Sequence, residues 1–342
     1  MKVIDLRSDT VTLPTKEMLM SILEAELGDD VAGEDPTVNK LEELAADRFG
    51  MESALLTPSG TQSNLIAVMS HCQRGDEMIA ESESHIYYYE VGGISAIAGV
   101  IPRLITGRYG VFTAEDVLQA LRGDNLHFPP TKLVEIENSH NRAGGTVWHP
   151  SEVESVAKVA HEHALKVHID GARIFNAAVA LSVDVKEYAR HVDSISFCLS
   201  KGLSAPIGSL LLGNSEFIAK ARKVRKMLGG GMRQAGIIAA PGIIALTKMV
   251  DRLKEDHDNA RRLAKGLESI GRFHIDLKRV QTNIVLLDVS PTGMSSKEFV
   301  AKARAKGLLI TDFGGSIVRF VTHFGITRED IDEAITIVET LC

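Results

Sequence analysis

Seven short runs rich in apolar and β-branched residues punctuate the chain: Ala54–Thr57, Glu77–Ala80, Val100–Ile105, Lys132–Glu137, Leu165–Asp170, Ser194–Cys198 and Ile207–Leu212. Helical patterns lie between them. This alternation limits the fold more than any single motif does. Strands separated by helices give a mostly parallel sheet sandwiched in a three-layer α/β/α arrangement. Several of the runs read as continuous apolar stretches, which suits strands covered on both faces. The clearest helix is predicted to start at Asp35-Pro36, an N-cap followed by proline at N1, and to end before Gly50. Ligands of such sheets bind beyond the carboxyl ends of the strands, so those ends are where chemistry is sought.

After about Met249 the texture changes. A charged helical stretch, DRLKEDHDNARRLAKGLESI, precedes short strands near Asn283–Leu287 and Ser316–Val321 and a final helix from Arg328. With 342 residues to divide, the chain is read as a large domain over residues 15–248 and a smaller α+β domain over 249–342.

Charge and cysteine usage exclude several classes. A net charge of −7 argues against a nucleic-acid partner. Cys72, Cys198 and Cys342 form no CxxC pair, against a disulfide framework or a cysteine zinc site. Asp5, Arg7 and Asp9 interrupt any signal-peptide core, and the apolar run around Gly236 to Leu246 is too short for a bilayer and contains Pro241. No membrane association and a cytoplasmic location are expected. His161 and His163, two apart on a helical stretch, point to different faces, and no metal site is expected.

Three strand ends carry candidate chemistry. The run Ala54–Thr57 leads into Pro58-Ser59-Gly60-Thr61 and a helix, where small residues, hydroxyls and helix N–H groups could cradle a phosphate. The sequence has neither GxxxxGK[ST] nor GxGxxG, so nothing specific supports a nucleotide. The run Leu165–Asp170 places Asp170 and Arg173 just past a strand. The run Ser194–Cys198 leads into Ser200-Lys201-Gly202, where a lysine sits among small and apolar residues. Each feature alone has a plain structural explanation: a capped turn, a helix cap, a surface lysine. Together they suggest pyridoxal 5′-phosphate. A partly desolvated lysine forms an imine, a carboxylate keeps the pyridine nitrogen protonated, and Gly202 with nearby serines leaves room for a flat ring.

The segments IDLRSDTVT, GDDVAGEDPTVNKLE, PSGTQSNLIAVMSHCQRGDE, HIDGARIFNA, CLSKGLSAPIGS and RKMLGGGMRQAG closely resemble the L-threonine aldolases, fold-type I enzymes that use pyridoxal phosphate. The resemblance spans nearly the whole chain. It implies a seven-stranded, mostly parallel sheet in the large domain, and an N-terminal segment, residues 1–14, that contributes to the active site. By resemblance Lys201 is the Schiff-base lysine and Asp170 pairs with the pyridinium nitrogen. Ser59, Gly60 and Thr61 hold the phosphate, and His85 stacks on the ring. Arg173 and Arg319 clamp the substrate carboxylate with help from Ser8, and His127 lies near the substrate hydroxyl. Arg233 reaches a neighbouring subunit's phosphate site. A homotetramer built from dimers, with active sites at the dimer interface, is also implied. Where family members commonly read VYGEDP, this chain has Ala32 in place of the tyrosine, which bears on side-chain preference.

The expected reaction is retro-aldol cleavage of a small-molecule β-hydroxy-α-amino acid, such as L-threonine or L-allo-threonine, to glycine and an aldehyde. The base is His85, His127 or a water they hold. Other fold-type I reactions, namely β-elimination, racemisation and hydroxymethyl transfer, need the same lysine, aspartate and phosphate cradle. A non-catalytic cofactor sensor would need a DNA-binding module, for which no segment remains.

Overall fold

Each of the seven runs forms a strand in the computed structural model, which describes residues 2–123 and 125–341; Cys342 lies outside the described residues. In chain order they are β1 (Ser53–Thr57), β2 (Glu77–Glu81), β3 (Ile101–Ile105), β4 (Thr131–Glu137), β5 (Lys166–Asp170), β6 (Ser194–Cys198) and β7 (Ser209–Gly213). They join in one sheet, in the order β1-β7-β6-β5-β4-β2-β3. All neighbours are parallel except around β7, which runs against both β1 and β6. The carboxyl ends of β1, β2, β4, β5 and β6 therefore open on the same edge. This is the expected α/β fold.

The helix Pro36–Phe49 shows how local sequence sets an element. Asp35 accepts hydrogen bonds from the Thr37 and Val38 N–H groups, Pro36 occupies the first turn, and Gly50 ends the helix at φ 66°. Its Val38, Leu41, Ala45 and Phe49 enter the main core together with Val134, Ile169, Phe197 and Leu210 of the sheet. Met249, Val250 and Leu253 still belong to that core.

A second core forms around a three-stranded antiparallel sheet made of β8 (Ile284–Asp288), β9 (Thr311–Asp312) and β10 (Ile317–Val321). It gathers Leu263, Leu267, Phe299, Phe320 and Ile331, and also Ile4 and Leu6 from the chain's start. The short strand Ile4–Asp5 pairs with Leu308–Leu309, so residues 8–12 are led from the second core toward the edge of the large sheet. Among the described residues, no helix is long and apolar enough to cross a membrane.

The helix Leu253–Ser269 is tied to the helix Ile174–Leu181 by a buried contact, Asn176 Nδ2 to His257 Nε2 at 3.2 Å. An amide nitrogen only donates, so His257 accepts and is neutral. Burial, with the charges of Arg261 and Arg252, pushes its pKa down to about 4. The unfolded chain, with histidine near its ordinary value, takes up the proton first as pH falls. The stability from this group is thus complete above about pH 6.5 and is lost as pH falls toward the folded value, at up to about 1.4 kcal/mol per pH unit. His257→Gln keeps an acceptor and does not titrate. The variant is expected to lose less stability than the parent between pH 6.5 and 5, read from urea midpoints. Equal losses would contradict the neutral assignment.

Candidate active site

The three central strands alternate, where continuous apolar runs had been expected. Val134, Ile136, Val167, Ile169, Ile195 and Phe197 face the main core. Glu135, Glu137, His168, Asp170, Ser194 and Ser196 occupy the other face and are all buried. The helix Gly60–His71 covers this polar face and contributes Asn64 to it. Both faces are shut from water, yet one is polar. Buried polar groups at such density need mutual hydrogen bonds, and they converge on the edge where Asp170 ends β5.

Asp170 accepts from Asn64 Nδ2 at 2.8 Å and from the Ala172 N–H at 3.0 Å, one bond to each oxygen. Burial opposes its ionisation, but the charges of His85 and Lys201 and these hydrogen bonds hold the carboxyl below the usual range. Each oxygen keeps a lone pair for a further donor.

Lys201 follows β6 in a turn closed by its own carbonyl, which accepts from the Ser204 N–H at 2.9 Å and from Thr12 Oγ1 at 3.0 Å. Its ammonium is close enough to lower the pKa of both Asp9 and Asp170. Gly202 also packs closely against Leu253. A Cβ there would lie 2.8 Å from Leu253 Cδ2.

At the end of β1, two strands away from β6, Ser59 caps the helix Gly60–His71 by accepting from the Gln62 N–H at 3.2 Å. The N–H groups of Gly60 and Thr61 lie in the first turn, where no helix carbonyl reaches them. A Cβ on Gly60 would come within 2.8 Å of Cys198 Sγ, so the helix start is pressed against β6. Free N–H groups, an exposed Thr61 hydroxyl and the positive end of the helix suit a phosphate.

Across the edge, Arg173 is buried and held by Asp9 through two bonds of 2.7 Å. Burial opposes the Asp9 charge, but Arg173 and Lys201 lower its pKa far below the ordinary value. Arg319 of β10 is half-buried; its Nη1 donates to Asn141 Oδ1 at 2.8 Å and its Nη2 to the Arg7 carbonyl at 3.2 Å. Its Nε is shut from solvent without a partner among the described residues. Burial and the Arg173 charge push the Arg319 pKa down to about 10. Asp9 is thus bonded to Arg173, while Arg319 feels its charge without a hydrogen bond to it among the described residues. Ser8 lies one residue before Asp9, and its Oγ accepts from the Thr10 N–H and hydroxyl.

His85 Nδ1 is bonded to Glu90 Oε1 at 2.9 Å, and its backbone N–H donates to Glu137 at 2.7 Å. Burial opposes the imidazolium, but Glu90, Asp170 and Glu137 raise the His85 pKa above its ordinary value. Ligand-type atoms of His85, Glu90 and Asp170 lie within 4.8 Å of one another. The Asn64 amide, donating to both carboxylates, links them. Beside the site, Arg142 stacks 4.0 Å from the Tyr88 ring centroid and 4.9 Å from that of Phe313. These three line a cleft of about 820 Å³ that touches neither Lys201 nor Asp170.

Two candidates stand apart within one chain. His127 is exposed and precedes β4, at the amino edge of the sheet, the opposite end from Asp170. Arg233 is exposed and paired with Asp29 at 2.6 Å. Its segment does approach the helix Gly60–His71, since Gly230 packs against Gln62. Ala32 is exposed, in a turn next to Asp29. His161 is bonded to Asp193 and His163 to the Val159 carbonyl. Asp9, Asn64, Glu90 and Asn141 were not singled out from sequence. For Asn64 a signal existed, an amide directly before the apolar run Leu65–Met69 of its helix.

Comparisons with known proteins agree with this geometry. The chain matches the beta-eliminating lyase family over residues 5–290. It is 44% identical to the low specificity L-threonine aldolase of Escherichia coli (strain K12), over 96% of each chain. It is 42% identical to a probable low-specificity L-threonine aldolase 2 of Arabidopsis thaliana, over 99% of this chain and 97% of that one. The solved threonine aldolase of Leishmania major superposes with a TM-score of 0.83 over 98% of both chains, at 20% identity, a likeness of fold. With a lysine turn, an ionised strand-end aspartate and a helix-start anion cradle on one sheet edge, and with relatives matching along its whole length, the chain belongs to the low-specificity L-threonine aldolases within the beta-eliminating lyase family.

Proposed function

We propose that this protein is a pyridoxal-phosphate-dependent carbon–carbon lyase that splits L-threonine and L-allo-threonine into glycine and acetaldehyde. One observation carries the reading. Arg173 and Arg319 gather around the single buried carboxylate of Asp9, which also feels the Lys201 charge, and the Arg319 Nε is left without a partner among the described residues. An amino acid's carboxylate supplies a second anion, and a guanidinium fork matches it bidentately.

The residues fit the cofactor. Asp170 has a free lone pair on each oxygen and ionises readily; Ser59, Gly60 and Thr61 offer hydroxyls and helix N–H groups to a phosphate; Lys201 presents an amine. When bound, the cofactor supplies an electron-accepting ring that takes up the electron pair released when Cα–Cβ breaks. The chain's residues do the rest. Asp170 holds a proton at the pyridine nitrogen, and Lys201 Nζ retains the cofactor. Arg173 and Arg319 fix the substrate carboxylate and so choose which bond at Cα aligns with the ring. His85, with Nδ1 committed to Glu90, has Nε2 left to take the β-hydroxyl proton, and Glu90 makes it a stronger base.

His127 and Arg233, both exposed in their own chain, are assigned to sites completed by a second copy in a homotetramer built from dimers. The buried free thiols of Cys72 and Cys198 suit a reducing compartment, the cytoplasm.

Incubation with either threonine isomer and pyridoxal phosphate tests the reaction. Glycine and acetaldehyde in equal amounts are expected. Ammonia with 2-oxobutanoate would instead identify a β-elimination enzyme. Gly60→Ala, whose Cβ meets Cys198 Sγ, is expected to displace the helix start and weaken cofactor binding about tenfold. An unchanged dissociation constant would remove the helix start from the cradle.

A further inference from the structure

We propose that Asn64, His168, Ser194 and His71 form a one-way chain of hydrogen bonds that positions the Asp170 carboxylate for its cofactor contact. The proposal rests on the cofactor reading above and adds four positioning residues to it.

The direction of every bond follows from chemistry. Asn64 Nδ2 lies 2.8 Å from Asp170 Oδ2 and 2.9 Å from Glu90 Oε1. The reverse amide orientation would set its oxygen against two carboxylates, so the nitrogen must face them. Asn64 Oδ1 then meets Ser196 Oγ at 3.1 Å and His168 Nε2 at 3.3 Å. An amide oxygen only accepts, so His168 donates from Nε2. His168 is fully buried, and burial pushes its pKa down to about 4, so the ring is neutral and Nδ1 carries no proton. Ser194 Oγ, 2.9 Å from that Nδ1, must donate to it. Ser194 has one hydrogen, so its other contact, His71 Nε2 at 2.7 Å, is filled by a proton from His71. Burial also keeps His71 neutral, at about 3. The chain therefore donates in one direction, from the end of the helix Gly60–His71 to the end of β5.

Each donor in such a row polarises the next, which strengthens the last bond. That bond leaves the remaining Asp170 lone pairs in a fixed direction. The same amide joins Asp170 to the Glu90–His85 pair. Other groups facing Asp170 are Lys201 from the turn after β6, Glu135 and Glu137 from β4, and His168 two residues earlier. Plain satisfaction of buried polar groups would need the bonds but not a common direction ending on a cofactor-binding carboxylate.

Ser194→Ala breaks the row without touching the cofactor site, Ser194→Thr keeps the hydroxyl, and His168→Phe removes both ring nitrogens. Three readouts apply: the pyridoxal phosphate dissociation constant by equilibrium dialysis, the pH midpoint of the bound cofactor's visible band without substrate, and imidazole ¹⁵N shifts in cofactor-free protein. Expected results are Nε2–H forms of His71 and His168 from pH 6 to 8, and cofactor binding about tenfold weaker with a displaced midpoint in Ser194→Ala and His168→Phe. Ser194→Thr should match the parent. If His168→Phe does not fold, Ser194→Ala alone decides. Unchanged binding and midpoint in Ser194→Ala, with the parent binding normally, would overturn the row and leave the cofactor reading standing. A parent that binds no pyridoxal phosphate would overturn both.

Discussion

Lys201→Ala is expected to lower threonine cleavage by a factor on the order of 10³ or more while leaving the thermal midpoint close to that of the parent. The two halves of this result test different things. The turn is held by the Lys201 carbonyl, with the Ser204 N–H and Thr12 hydroxyl as donors, and none of these bonds uses the side chain. Truncation removes the amine and keeps the turn. Loss of the Lys201 charge should also let the pKa values of Asp9 and Asp170 rise, since both are lowered by it. Cleavage assays with saturating pyridoxal phosphate check the first half, and melting curves check the second. Activity within tenfold of the parent would remove Lys201 from the reaction.

Arg319→Ala is expected to lower kcat/KM for threonine by about 30-fold to several thousandfold, the range for truncating one partner of a buried, hydrogen-bonded charge pair, about 2–5 kcal/mol. Arg173 cannot compensate, because Asp9 occupies its Nε and Nη2. Arg319 also fixes Asn141 through Nη1, so the variant frees an amide at the site wall. If the carboxylate clamp directs bond breaking, kcat must fall along with any rise in KM. A rise in KM alone would mean that Arg319 binds substrate without orienting it.

Much of this architecture could be read from residue order because its signals are local. Strand-forming runs, the Asp35-Pro36 start and the Gly50 stop each act over a few residues, and strand ends with small residues after them mark where ligands sit. Asp170 and Lys201 were legible for that reason. The supporting contacts were not. Asp9 meets Arg173 across 164 residues, Asn64 meets Asp170 across 106, and Arg319 meets Asn141 across 178; no periodicity encodes such pairs. The polar face of β4, β5 and β6 escaped notice because Glu135, His168 and Ser194 look like ordinary outward positions until a helix covers them. The part assigned to His127 depends on a second copy, since its place before β4 puts it at the amino edge of its own sheet. The close approach of Leu253 to Gly202 is likewise a contact between distant segments that local order does not announce.

Borohydride reduction of the protein loaded with pyridoxal phosphate, followed by peptide mapping, tests the central assignment most directly. The cofactor's mass is expected on the peptide carrying Lys201, with the visible band lost in proportion. Label on another lysine, or none on a preparation that still splits threonine, would contradict it.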